Sequence, residues 1–182
     1  MARIAVIGDG PGGLSAALFL ARAGHETLVY GTNTTAMHYA HLNNYLGSPD
    51  TGGSAFQKTA LAQVAGAGAT IVHARVTALA AGDPHRLTLE NGTATEADYV
   101  ILSEGKNPEV AVAAGVALVD GGGIAVDGEQ RTSIDRVYAV GRATRPTRSQ
   151  AIISAGDGAV AALDILAREA GGDVQDWDKA DG

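Results

Sequence analysis

Apolar positions along this chain fall into short runs separated by glycine- and asparagine-rich breaks. Residues 3–7 read Arg-Ile-Ala-Val-Ile, a largely β-branched run of the kind a parallel strand needs when both its faces are buried. A glycine-rich turn, Gly8-Asp-Gly-Pro-Gly-Gly13, follows. Beyond it Leu14, Ala17, Leu18 and Ala21 recur at helical spacing as far as Gly24, which suits a helix end. A second apolar run over 26–30 completes an opening β-α-β unit at Gly31. Residues 32–53 show no sustained period and are rich in Thr, Asn, His and Tyr. They are expected to form one long functional loop, since structureless loops of this length seldom persist without a role.

A helix is expected over 54–65 and a third strand over 70–72. The period then changes. Alternation over 76–80, 86–90 and 94–96, with turns at Gly82-Asp-Pro84 and Asn91-Gly92, predicts a small antiparallel β-meander. Residues 99–102 return to a buried parallel strand, followed by a short helix over 108–114 and a turn over 121–123. The segments 124–126 and 137–140 read as the last strands. A long helix over 150–169 closes the fold, with Ile152, Ala155, Ala159, Leu163 and Leu166 expected on its buried face. No internal repeat is present. The pattern predicts an α/β, Rossmann-like three-layer fold: a central parallel sheet with helices on one side and the meander on the other. Residues 1–171 are expected to form one domain and 172–182 a polar C-terminal tail.

At 182 residues the chain suffices for one well-packed domain but not for two full nucleotide-binding domains. Its apolar residues are mostly small or aliphatic and only 4% of the chain is aromatic, which suits helices packed closely on a sheet. The net charge of -7 and the absence of a basic stripe argue against nucleic acid as a partner. The absence of cysteine excludes dithiol exchange, thiolate catalysis and thiolate metal sites. His38 and His41 lack a third ligand, so no metal is expected. Arg3 before an apolar run imitates a signal peptide, but Asp9 and the glycine cluster interrupt that run. No stretch is long enough for a membrane span, and a cytoplasmic protein is expected.

The pattern Gly8-x-Gly10-x-x-Gly13 sits between a predicted strand and a predicted helix, the context that gives it meaning. Gly8 allows the tight turn, Gly10 lets a diphosphate approach the backbone, and Gly13 permits close helix–sheet packing. Pro11 fits the first helical turn, where no donor is needed. The helix N-terminus offers unpaired N–H groups and partial positive charge to phosphates. A glycine-rich turn without a ligand is the alternative. The acid that usually anchors a ribose at the end of the second strand is missing; Tyr30-Gly31-Thr32 stands there, so Thr32 and Asn33 are the neutral substitutes.

Several segments together resemble the FAD domain of low-molecular-weight thioredoxin reductases. These are the opening Val6-Ile-Gly-Asp-Gly-Pro-Gly-Gly-Leu-Ser-Ala-Ala17; Asn43-Asn-Tyr-Leu-Gly47; and Tyr99-Val-Ile-Leu-Ser-Glu-Gly105. The closing pair is Thr132-Ser-Ile-Asp-Arg-Val-Tyr-Ala-Val-Gly141 and Gln150-Ala-Ile-Ile-Ser-Ala-Gly-Asp-Gly-Ala-Val-Ala-Ala162. The resemblance implies FAD as cofactor, with Asn44 near the flavin ring and the helix start at Ser149, Gln150 and Ala151 facing its pyrimidine edge. It further implies cofactor contacts at Tyr30, Gly31, Thr32, Val76, Ser103, Glu104, Gly105, Gly141 and Arg142, and a homodimer. Ordinary capping by Ser149 is an additional expectation for that helix.

The chain departs from the family in two ways. The nicotinamide domain that the family inserts after the Ala-Thr-Gly strand is absent, as is its Cys-x-x-Cys pair; Gly105 runs directly into the returning segment. The family's Gly-Asp pair is Gly141-Arg142 here, and Ser103 and Glu104 replace Ala-Thr. Arg142 is expected to reach a phosphate, to pair with a carboxylate such as Glu104, or to stand as a solvated surface charge. His38, Tyr39, His41, Asn44 and Tyr45 are expected beside the ring, where a histidine can move a proton, although loop polarity alone also accounts for them. No catalytic residue is identified. Three functions fit: an FAD-dependent oxidoreductase fed by a separate electron-donor protein or a diffusible reductant; a non-catalytic FAD carrier, sensor or subunit of a two-component reductase; and a degenerate Rossmann protein that no longer binds FAD and takes another adenine nucleotide or nothing.

Overall fold

Five parallel strands run through the centre of the chain, in a computed structural model that describes residues 1–48 and 50–175. Of the expected polar tail, residues 176–182 lie outside the described residues. Strand β1 (Arg3–Ile7) leads through the glycine turn into helix α1 (Pro11–Arg22), and β2 (Glu26–Tyr30) returns beside β1. The tight pair β3 (His41–Leu42) and β4 (Thr51–Gly52) precedes helix α2 (Gly53–Gly66) and strand β5 (Thr70–Val72). The meander consists of β6 (Val76–Ala80), β7 (His85–Leu89) and β8 (Ala94–Ala97), all antiparallel. Then come β9 (Tyr99–Leu102), the short helix α3 (Glu109–Ala113), β10 (Val137–Ala139) and the closing helix α4 (Ala151–Ala170).

The order β10-β9-β1-β2-β5 places the chain's first strand at the centre of the sheet, which is why its Ile4, Val6 and Ala5 are all but fully buried. On one face Ile4, Val6, Val29, Ile101 and Val140 pack under α1, α2 and α4. On the other, Ala5, Ile7, Tyr30, Val100 and Leu102 meet Leu79 and Leu87 of the meander and Val110 of α3. The expected three layers are therefore present, with helices and meander on opposite faces.

Three expectations need correction. The 32–53 segment is not without structure: a 3-10 turn spans Ala36–Tyr39, started by the Thr35 hydroxyl accepting from the Met37 N–H, and β3 pairs with β4. Two-residue strands are too short to show alternation in sequence. Residues 124–126 do not form a strand; Ile124 makes a single antiparallel bridge to Leu118. Most informative is α4. Its buried line is Ser154, Asp157, Gly158, Ala161, Ala162, Asp164 and Ile165, whereas Ile152 is exposed and Ala155, Ala159, Leu163 and Leu166 are only half-buried. The physical cause is a very close helix–helix approach. A Cβ at Gly158 would lie 2.1 Å from the Gly12 carbonyl oxygen, and Ala16, Ala17, Ala161 and Ala162 fill the rest of the seam without exposure. A small-residue stripe buries the helix here, and ranking positions by apolar bulk points to the wrong side.

The far end of α4 is fastened to the sheet by polar contacts. The Tyr138 hydroxyl, fully buried on β10, donates to Asp164 Oδ2 at 2.5 Å, and Arg131 Nε donates to the same oxygen at 2.8 Å. Tyr99 donates to Glu169 at 3.0 Å, with the Arg168 guanidinium 5.9 Å from its ring centroid. Among the described residues no helix is long and apolar enough to cross a membrane.

Candidate functional site

A cleft of about 1250 Å³ opens where the C-terminal ends of β1, β9 and β2 meet the N-termini of α1 and α4. Open α/β sheets place ligands at this end of the strands. The glycine turn forms one wall. Gly8 has φ +107°, and a Cβ there would lie 2.2 Å from the Ser103 carbonyl oxygen. Gly13 is buried instead of lining the cleft, because its space is taken by the Gly8 carbonyl; its N–H donates to Ser103 Oγ at 3.0 Å. Gly10 faces open space, with only the Thr35 hydroxyl 3.6 Å from where a Cβ would stand. Pro11 begins the helix as expected.

Apart from Asn33, which does not line it, the other sequence-predicted cofactor residues line this one cleft: Gly8, Gly10, Pro11, Tyr30, Gly31, Thr32, Asn44, Val76, Ser103, Glu104, Gly105, Gly141, Arg142, Ser149, Gln150 and Ala151. Several do so by different means than the sequence suggested. Glu104 does not pair with Arg142; its carboxylate accepts from the Val110 and Ala111 N–H groups at 2.8 and 3.0 Å, capping α3. Burial pushes the Glu104 carboxyl up, against the pull of those two amides. Ser149 does not cap α4. The N-cap is Gln150, with no side-chain cap, and the Ser149 hydroxyl lies 3.5 Å from that of Ser154. The first-turn amides of a 20-residue helix are thereby left open beside the cleft.

Arg142 is half-buried and lines the cleft. Its Nε is shut off from solvent and has no hydrogen-bond partner among the described residues. It lies in a 3-10 turn, Gly141–Ala143, that packs against both α1 and α4. The turn is held by the Gly141 N–H donating to Asp157 Oδ2 at 3.2 Å, a carboxyl whose affinity for its proton is raised by burial.

The loop residues divide. His41, Asn44 and Tyr45 line the cleft, and His41 Nε2 lies 2.7 Å from Asp50 Oδ1. His38 and Tyr39 do not line it. The His38 ring is tied to Ser54 Oγ and to the Asn33 carbonyl oxygen, both at 2.9 Å, and Tyr39 is 94% exposed. Tyr45 stacks at a tilt on Phe56, with ring centroids 5.3 Å apart.

Sequence reasoning missed Asp9. This residue is buried at the cleft wall, and its Oδ2 accepts from the Asn33 N–H at 2.7 Å. The carboxylate fills the space above Gly31, where a Cβ would approach it to 2.3 Å. Gln57, fully buried, fixes the turn from behind by donating to the Asp9 carbonyl oxygen at 2.6 Å. The signal was present: an acid within a phosphate-binding turn needs a reason, and Gly31 supplies it by leaving room. Arg75 and Glu109 also line the cleft and pair at 3.0 Å, a long-range contact that no local pattern announces. Among the described residues no cluster of His, Asp or Glu could hold a metal ion.

The donor set fits a dinucleotide. One helix N-terminus stands behind a glycine cradle, a second opens uncapped on the same cleft, and hydroxyls of Thr32, Thr34 and Thr35 line the wall near Asp9.

Comparison with solved structures shows the same fold in several thioredoxin reductases. That of Gloeobacter violaceus superposes with a TM-score of 0.86 at 17% identity, covering 98% of this chain and 99% of that one. The atypical thioredoxin reductase of Desulfovibrio vulgaris Hildenborough gives 0.83 at 19% identity, covering 91% and 97%. The ferredoxin-flavin thioredoxin reductase of Clostridium acetobutylicum gives 0.80 at 19% identity, covering 93% and 98%. Comparison with curated protein sequences gave no match. The chain itself has no cysteine, and after β9 it passes through α3 to β10 with no second nucleotide domain between them. Residues 50–162, more than half of the sequence, match the family model for pyridine nucleotide-disulphide oxidoreductases, and the chain belongs to that family.

Proposed function

We propose that this chain is an FAD-binding flavoprotein that works as an oxidoreductase supplied with electrons by a separate donor protein. The observation that carries the reading is the single continuous cleft onto which the N-termini of α1 and α4 both open. In this reading the glycine turn at Gly8, Gly10 and Pro11 holds the diphosphate, while Tyr30, Gly31, Thr32 and Val76 border the adenosine. Asn44, Ser103, Gly105 and Gly141 flank the ribityl chain and ring, and Ser149, Gln150 and Ala151 meet the pyrimidine edge.

A bound flavin supplies the redox chemistry; the protein positions it and sets its electrostatics. The uncapped end of α4 favours negative charge at the nearest ring edge. At the rim His41 lines the cleft with its Nε2 engaged by Asp50 Oδ1 at 2.7 Å, which leaves Nδ1 as the ring nitrogen free to meet a ligand. With no thiol in the chain, electrons have no dithiol relay here. The absence of a second glycine fingerprint in this sequence is what motivates a separate donor. We place the protein in the cytoplasm as a homodimer, its self-association supported by exposed Ile153 and Val160 on α4.

Rapid-mixing reduction of the flavin-loaded chain tests the donor claim. Reduction by NADPH or NADH alone is expected to be slow, and a reduced donor protein is expected to accelerate it. Fast reduction by a nicotinamide on its own contradicts a separate donor.

A further inference from the structure

The strongest unexplained feature of the molecule is Arg142. Its guanidinium enters no ion pair among the described residues, and its Nε is buried without a hydrogen-bond partner. A donor shut off from solvent without an acceptor is costly, and such an atom in a native structure calls for a missing partner. The obvious partners are all engaged elsewhere. Four carboxylates line the cleft: Asp9, Glu90, Glu104 and Glu109. Asp9 accepts from Asn33, Glu104 caps α3, Glu109 pairs with Arg75, and Glu90 accepts from the Arg75 N–H at 3.5 Å. Asp157, just behind, takes the Gly141 N–H. The protein as a whole is acidic, yet this cation is left uncompensated.

Its position narrows the ligand group. The chain leading to Arg142 lies against the first turn of α1: a Cβ at Gly12 would come within 2.9 Å of Val140 Cγ2, and Gly141 follows directly. Arg142 therefore stands beside the helix end whose amides favour anions, and its planar fork matches phosphate oxygens in paired fashion. The oxidised flavin ring is neutral and compensates no cation, whereas a diphosphate is charged in every redox state. From these observations we infer that Arg142 is the side-chain cation of the diphosphate subsite, acting with the glycine turn. The identification of the diphosphate as that of FAD rests on the function proposed above; the anion site itself does not.

Titration of wild type, Arg142→Gln and Arg142→Lys with FAD, ADP and riboflavin, followed by calorimetry, separates the two claims. Arg142→Gln is expected to weaken FAD and ADP by the same factor, about 10- to 100-fold for a lost charge-assisted contact, and to leave riboflavin within about twofold. Arg142→Lys is expected to fall between. The ligand-free Arg142→Gln protein is expected to melt at or above the wild-type temperature, because the buried, unpartnered Nε has been removed. Equal losses for riboflavin and FAD place Arg142 on the ring or ribityl chain and overturn the assignment. Unchanged ADP and FAD affinities overturn it too. Arg142-dependent ADP binding by a chain that takes up no flavin upholds the diphosphate subsite and refutes the flavin reading. A wild-type chain that binds none of the three overturns both.

Discussion

The Gly13 N–H donates to Ser103 Oγ at 3.0 Å, joining the first turn of α1 to the end of β9 across 90 residues of sequence. This bond holds the glycine turn at a fixed height over the sheet, with the Gly8 backbone pressed against the Ser103 carbonyl. Removing the hydroxyl leaves the Gly13 N–H without its acceptor. Ser103→Ala is therefore expected to lower unfolding free energy by about 1 kcal/mol, read by urea denaturation, and to weaken flavin uptake several-fold. A variant with unchanged stability and affinity would show that the bond does not position the turn.

Gly158 is expected to be intolerant of even a methyl group. Its added Cβ would stand 2.1 Å from the Gly12 carbonyl oxygen, a backbone atom that cannot swing aside. Gly158→Ala is expected to cost about 1–3 kcal/mol despite the better helix propensity of alanine, and to lower flavin affinity because α1 must shift. Gly156→Ala, where nothing lies within 4 Å of the new Cβ, is the matched control and is expected to be neutral or stabilising.

His85 gives the fold a dependence on pH. It is almost fully buried, its Nδ1 accepts from the Gly82 N–H at 3.2 Å, and burial together with the Arg136 charge lowers its affinity for a proton. A group whose folded value is depressed contributes stability that is present above its ordinary value and lost as pH falls through the folded value. Thermal melts are therefore expected to decline as pH drops below about 6.5. His85→Asn, which keeps an acceptor for Gly82, is expected to flatten that limb. An unchanged limb would assign it to another group.

Asp164 produces a second, more acidic limb. Burial alone raises its carboxyl, but hydrogen bonds from Arg131 and Tyr138 outweigh burial and hold it below the usual carboxylate range. The same sign applies: its contribution is present above about pH 4 and lost as pH falls through the lower folded value. Asp164→Ala also strands the buried Tyr138 hydroxyl, at an expected cost of about 1–3 kcal/mol at neutral pH. A smaller loss in an Asp164→Ala, Tyr138→Phe double variant than in Asp164→Ala alone would identify the stranded hydroxyl as the cause.

Much of the frame was legible because the relevant physics is local. Buried parallel strands appear as apolar runs, so 3–7, 26–30, 70–72 and 99–102 were read with their observed limits. The glycine turn was legible because its conformation and helix entry are written into six consecutive residues. What escaped was set by contacts between distant segments. The seam of Gly12, Gly158 and the alanines looks weak in any ranking by apolar bulk, so the wrong face of α4 was expected to be buried. Glu104 looked available to Arg142 until α3 turned its amides onto it. Asp9, read only as a break in the apolar run, finds its place in the space that Gly31 leaves.

The central claim, that this cleft is an FAD site, is tested most directly by the visible absorbance spectrum of the purified chain, with identification of whatever is released on denaturation. The account predicts oxidised-flavin absorbance at close to one FAD per chain, present on isolation or restored by added FAD. A colourless protein that takes up no FAD would contradict it.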